Sequence, residues 1–143
     1  MSATTPPVPE SPQTERSSSA ALWGAGGADY DPISRTISDS IEHCVLRLSP
    51  RPGERILDLA TGTGWTSRLV ARRGASVTGV DIAPEVVAAA RDIAAREGLE
   101  IDYRVGDAES LPFTPASFDA LVSTCGVIFV RNPKRAAAEI ARV

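Results

Sequence analysis

Residues 55–66 read RILDLATGTGWT. Ile56, Leu57 and Leu59 make a short apolar run of the kind a buried parallel strand needs, with Asp58 set inside it. Thr61, Gly62, Thr63 and Gly64 follow as a turn in which backbone approaches a ligand with little side chain in the way. Trp65, Leu69 and Val70 then open a helical pattern. The order strand, glycine turn, helix predicts the first βα unit of a nucleotide-binding fold.

The chemistry of the turn narrows its ligand. A dinucleotide brings a pyrophosphate, which calls for G-x-G-x-x-G and a helix N-terminus free to meet negative charge. Here Ala60, Gly62 and Gly64 follow Asp58, and Ser67 stands where the last glycine would fall. A carboxylate beside the turn repels phosphate and attracts a cation. S-adenosylmethionine, with its ammonium and sulfonium, suits Asp58 better. The bland alternative is an ordinary strand–turn–helix with a surface aspartate.

The rest of the chain repeats the pattern. Residues 76–80 predict a second strand ending at Asp81; Pro84 opens a helix with Val86, Ala90, Ile93 and Ala94 on its buried stripe, and Gly98 closes it. Residues 101–105 predict a third strand, followed by Gly106, Asp107 and Ala108; residues 118–124 predict a fourth. Asn132 and Pro133 begin a last helix through Ala136, Ala137 and Ile140. Alternating strands and helices mean an α/β fold with a parallel sheet and right-handed crossovers.

Upstream, residues 1–20 are rich in Pro, Ser and Thr and predict a disordered tail. Residues 21–50 predict a helical unit. Asp31 and Pro32 read as an N-cap and first helical position, and Ile33, Ile37, Ile41, Cys44, Val45 and Leu48 form one amphipathic stripe. Residues 51–143 are left for the ligand-binding core.

Composition sets bounds. The 143 residues carry a net charge of −3 and only seven aromatic side chains, with no basic block, which argues against nucleic acid as a partner. No apolar stretch reaches membrane-spanning length, and no secretory leader is evident at the start, so the reading is cytoplasmic. Cys44 and Cys125 read as free, packed thiols of a reducing compartment, and no metal-ligand spacing occurs. Arg68, Arg72 and Arg73 read as a solvated helix face, Trp23 and Trp65 as packing residues, and His43 as structural or exposed.

Ligands of open α/β sheets bind beyond the carboxyl ends of the strands, and Asp58, Asp81 and Asp107 all fall at or beside such ends. Asp81 lies roughly 20 residues past the glycine turn, the spacing at which an acid accepts from ribose hydroxyls. Ile82 offers a face for adenine, Asp107 an acceptor for its amino group, and the Ala108 N–H a donor to a ring nitrogen.

The segments LDLATGTG (57–64), VTGVDIAPEVVAAAR (77–91), VGDAESLPF (105–113) and FDALVSTCGVIFV (118–130) resemble the class I S-adenosylmethionine-dependent methyltransferases. The likeness is greatest to the small-molecule subgroup that includes ubiquinone/menaquinone-type C-methyltransferases, and it runs from about Tyr30 onward. It implies a Rossmann-like parallel sheet and methyl transfer from S-adenosylmethionine to a small-molecule acceptor. It implies cofactor contacts at Asp58, Ala60, Gly62 and Gly64, a ribose contact at Asp81, adenine contacts at Ile82, Asp107 and Ala108, a wall at Ser123, and Tyr30 on a lid near the methionine moiety. Ala60 replaces the first glycine of the family pattern. The family has seven strands and four are found here, so the resemblance predicts a chain lacking its C-terminal strands, with an apolar fourth-strand edge open to self-association. The catalytic base is not assigned. An NAD-dependent oxidoreductase, which shares the glycine turn and Asp81, and a non-catalytic cofactor-binding fragment are the competing readings.

Overall fold

The computed structural model describes residues 12–143. Four parallel strands form one sheet: β1 (Arg55–Leu59), β2 (Ser76–Asp81), β3 (Asp102–Val105) and β4 (Ala120–Val122). Their order across the sheet is β3-β2-β1-β4. The chain therefore reverses direction of travel at β1, and a crevice opens between the carboxyl ends of β1 and β4. The register aligns Asp58 with Gly79 and Asp81 with Val105.

Strand alternation decides what each face buries. Ile56 and Val77 point to one side and pack with Val45 of α3 (Ser38–Leu48) and Val70 of α4 (Trp65–Ala71). On the same side Tyr103 packs against Val87, Ala90 and Ala94 of α5 (Pro84–Arg96). Leu57, Leu59 and Val80 point the other way, under Leu111, Phe113 and Phe118 of the loop before β4 and Ile140 of α6 (Pro133–Arg142). Gly79 is needed on the first face, because a Cβ there would run into the Tyr103 ring and come within 3.1 Å of Ser67 Oγ.

The expected βα units stand where the periodicity put them, and several upstream or local expectations do not. The disordered tail was expected to extend to Ala20; residues 12–20 instead form most of α1 (Pro12–Gly24), and residues 1–11 lie outside the described part. Between Pro12 and Gly24 nothing breaks a helix, and the segment gains anchors: Arg16 Nε lies 2.7 Å from Asp107 Oδ2, and the Trp23 and Phe129 rings meet at 4.9 Å. The single helix expected from Ile33 to Leu48 is two, α2 (Tyr30–Thr36) and α3, broken at Ile37 with φ −116° and ψ 18°.

Asp31 is no N-cap. It lies inside the first turn of α2, buried, because it faces a buried guanidinium. That guanidinium is Arg68, only 2 % exposed, so the solvated arginine face reduces to Arg72 and Arg73. Strand β4 ends at Val122, two residues short of expectation. The chain then bends outward, leaving Cys125 exposed with φ 63° rather than packed, and Cys44 is exposed as well.

Candidate functional site

A cavity of about 380 Å³ occupies the crevice at the strand ends. That volume lies within the roughly 300–1,000 Å³ usual for small-molecule sites. Its floor is the β1–α4 turn and the ends of β1 and β2: Leu59, Ala60, Thr61, Gly62, Val80 and Asp81. Ile82 and Val86 make an apolar wall, and Gly106, Asp107, Ala108 and Glu109 close one end. Thr124, Cys125 and Gly126 lie across the floor from Ala60. The roof comes from helices that precede β1: Arg16, Ser19 and Trp23 of α1, Tyr30 and Ser34 of α2.

Seven of the ten residues singled out from the sequence share this one cavity: Tyr30, Ala60, Gly62, Asp81, Ile82, Asp107 and Ala108. Asp58, Gly64 and Ser123 do not line it. Period-two alternation turns Asp58 toward α4, beneath the turn, where Thr61 Oγ1 and Ser67 Oγ donate to its Oδ2 at 2.7 and 2.6 Å. Its other oxygen, Oδ1, is buried without a partner. Burial raises its pKa to about 6, against the lowering pull of the two hydroxyls. Ser67, read from sequence as a missing glycine, is the hydroxyl that holds this acid.

Gly64 gives room to Tyr103, whose hydroxyl lies 3.4 Å from the Gly64 carbonyl; burial pushes that phenol well above its ordinary range. Ser123 Oγ accepts from Val127 N–H at 3.2 Å and so shapes the wall from behind.

Asp81 is the acid in the floor. Its Oδ2 accepts from Gly62 N–H at 2.9 Å and its Oδ1 from Ala83 N–H at 3.1 Å; burial raises its pKa. Other turn amides are engaged too. Thr61 N–H donates to Val80 O at 3.0 Å and Gly64 N–H to Thr61 O at 2.9 Å. A pyrophosphate would need such donors free. Asp81, Asp107 and Glu109 line the cavity together with Arg16, Arg131 and Arg135, so it is the bonded turn amides rather than the lining charge that argue against a diphosphate.

The lining fits an adenosyl ligand better than a pyrophosphate: Asp81 is an acid able to accept from a diol, Ile82 and Val86 form an apolar wall, and the Thr61, Gly62 and Gly64 amides are already bonded within the protein. Sequence reading missed Thr61, Thr66 and Thr124, whose hydroxyls carry no motif. Thr66 and Thr124 Oγ1 pair at 2.7 Å across the crevice. It also missed Glu109, whose Oε1 accepts from the backbone N–H of Arg131 and Asn132 at 2.9 and 2.8 Å and ties the cavity end to the start of α6.

Comparison with known proteins bears on the family and the fold. An uncharacterised protein of Mycobacterium tuberculosis strain H37Rv is 39 % identical over 137 residues, covering 92 % of this chain and 49 % of its own length. A ubiquinone biosynthesis O-methyltransferase of Xanthomonas axonopodis is 40 % identical over 118 residues, covering 79 % of this chain and 48 % of its own. The crystal structure of the cyclase SpnF superposes with a TM-score of 0.70 at 33 % identity, over 73 % of this chain and 40 % of that one. The chain thus spans about half the length of the curated relatives it matches. The methyltransferase domain model matches residues 57–143, more than half of the chain, and with the Rossmann-like sheet this places the protein in the methyltransferase domain family.

Proposed function

We propose that the chain binds S-adenosylmethionine across the ends of β1, β2 and β3 and supports transfer of its methyl group to a small-molecule acceptor. The observation that carries this is Asp81: a buried carboxylate in the floor of a cavity where the Thr61, Gly62 and Gly64 amides are already bonded within the protein. In this reading Asp81 accepts from the ribose hydroxyls, and Ile82 lies against adenine. Asp107 accepts from the adenine amino group, and the Ala108 N–H donates to a ring nitrogen. Ala60 and Gly62 let backbone approach the ligand, and Tyr30 covers the methionine end. Asp58 acts from beneath the turn, its charge one hydroxyl away from the cavity through Thr61.

When bound, S-adenosylmethionine supplies an activated methyl group. The chain supplies orientation, which lowers barriers by up to roughly 7–11 kcal/mol, and a roof of α1 and α2 that keeps water out. No residue is assigned as a base. His43, the one histidine, is exposed on α3 and lies outside the cavity lining. The exposed, unbridged thiols of Cys44 and Cys125 support a reducing, cytoplasmic setting.

Calorimetry with S-adenosylhomocysteine and with NAD tests the reading. The first ligand is expected to bind and the second not, and Asp81→Ala abolishes binding. NAD binding with no response to S-adenosylhomocysteine would transfer the site to the oxidoreductase reading. A second reading, cofactor binding without methyl transfer, draws on the likeness to a protein named as a cyclase. Transfer of labelled methyl to an acceptor library by the full chain would eliminate it.

A further inference from the structure

Helix α2 carries part of the cavity roof, yet almost nothing apolar holds it down. Its one buried residue is Asp31, and Ile33 is 54 % exposed. No side chain caps its N-terminus. Asp31 Oδ1 instead receives two donors from the turn and the helix that follows it: Arg68 Nη2 at 2.9 Å and Thr63 Oγ1 at 3.2 Å. Arg68 Nη1 donates in turn to the Thr63 carbonyl at 2.6 Å, its Nε lies 3.3 Å from Glu97 Oε2, and its guanidinium sits 5.4 Å from the Trp65 ring centroid. The fork of one arginine therefore grips the glycine turn, the roof helix and the end of α5 at once.

We infer that Arg68 and Asp31 form a latch, with Arg68 as a positioning residue that seats α2 on the glycine turn and so sets the height of the roof over the cofactor site. Tyr30 precedes Asp31 in the chain, lines the cavity, and lies 3.9 Å from the place a Cβ at Gly62 would occupy. Ser34 lines the cavity one turn later. Seating Asp31 therefore seats both. The charges around the latch are Arg35, 3.5 Å from Asp31 Oδ2, and Arg72, 2.7 Å from Glu97 Oε2; both are more than half exposed and so weaker partners than Arg68. A latch made of charge rather than apolar burial can open without unfolding the core, which is the behaviour an entry gate requires.

The cofactor half of this inference rests on the reading of the cavity as an S-adenosylmethionine site. The test uses the full chain, with S-adenosylhomocysteine as probe and amide hydrogen exchange as a second readout. Asp31→Asn keeps the shape and removes the charge. It is expected to raise the dissociation constant at least about tenfold, with faster release. It is also expected to speed exchange at residues 30–36 in the absence of ligand while exchange in β1 and β2 stays as in the wild type. Asp31→Glu is expected to restore much of both, and Arg68→Lys neither, since an ammonium cannot reach Thr63 and Asp31 together in that geometry. Unchanged exchange across residues 30–36 in Asp31→Asn, or acceleration shared equally by β1 and β2, overturns the latch. A wild type that ignores S-adenosylhomocysteine overturns the cofactor reading and leaves exchange to decide the latch on its own.

Discussion

Ala60 holds a left-handed backbone, φ 58°, at a place where glycine would sit without strain. Its methyl group faces Gly126, where a Cβ would overlap that of Ala60. Two expectations follow at these residues. Ala60→Gly relieves strain worth about 1 kcal/mol, read as a small rise in the urea midpoint. Gly126→Ala destabilises by more than that in the wild type and by distinctly less in the presence of Ala60→Gly, a non-additivity measurable in a double-mutant cycle.

Asp58 offers a pH signature. Its pKa stands at about 6 in the folded chain, above its ordinary value of 3.8. An acid whose pKa is raised by folding binds more protons in the folded state, so stability falls as pH rises through that window. Asp58→Asn removes this dependence. The unfolding free energy of the variant relative to wild type is expected to climb by about 2 kcal/mol from pH 4 to pH 7. Urea titrations followed by tryptophan fluorescence would show it. Asp81 is shifted in the same direction but is present in both proteins and cancels. A cation over the turn favours the ionised acid, so affinity for a cationic adenosyl ligand should increase as pH rises through about 6.

At the scale of elements, α1 sets up a competition. Arg16 Nε already donates to Asp107 Oδ2 at 2.7 Å, on the carboxylate proposed to receive the adenine amino group. Arg16 is half exposed, so the pair is worth no more than about 1 kcal/mol. Arg16→Ala should tighten S-adenosylhomocysteine binding by up to about fivefold in calorimetry; a loss of affinity would mean that the guanidinium closes over the ligand rather than standing in for it.

The elements also show what the sequence could and could not disclose. The βα units were legible because strand composition, glycine and proline punctuation and a buried stripe all agree from Arg55 to Gly98. Asp81, Ile82, Asp107 and Ala108 were legible as neighbours because parallel strands bring their carboxyl ends together. Asp58 was misplaced as a cavity residue: spacing locates it on β1, but only the sheet's alternation shows it beneath the turn. Arg68 and Asp31 were misread for a related reason. Each has an ordinary local role, helix surface and N-cap, and their partnership spans 37 positions that no local pattern connects. The helix within residues 12–20 was masked by a polar composition and depends on contacts made at Asp107 and Phe129.

For the whole molecule, the asymmetry of the sheet matters. β4 pairs with β1 along one side, and among the described strands nothing pairs with its other side. Ile128 and Phe129, just beyond it, are 75 % and 58 % exposed. An unpaired edge beside exposed apolar side chains favours association. For this stretch of chain taken alone we propose self-association through this side, so its mass by light scattering should rise with concentration. Ile128→Lys should lower that mass; a constant monomer mass would refute the proposal.

Glu109 sits beside Asp107 at one end of the cavity, yet its carboxylate grips the two backbone amides that lead into α6. Rigidity acquired by one end of that tether is inherited by the other. A guest bound near Asp107 would therefore quiet the C-terminal helix from a distance, and slower deuterium uptake at residues 131–136 would announce an occupant those residues need never touch.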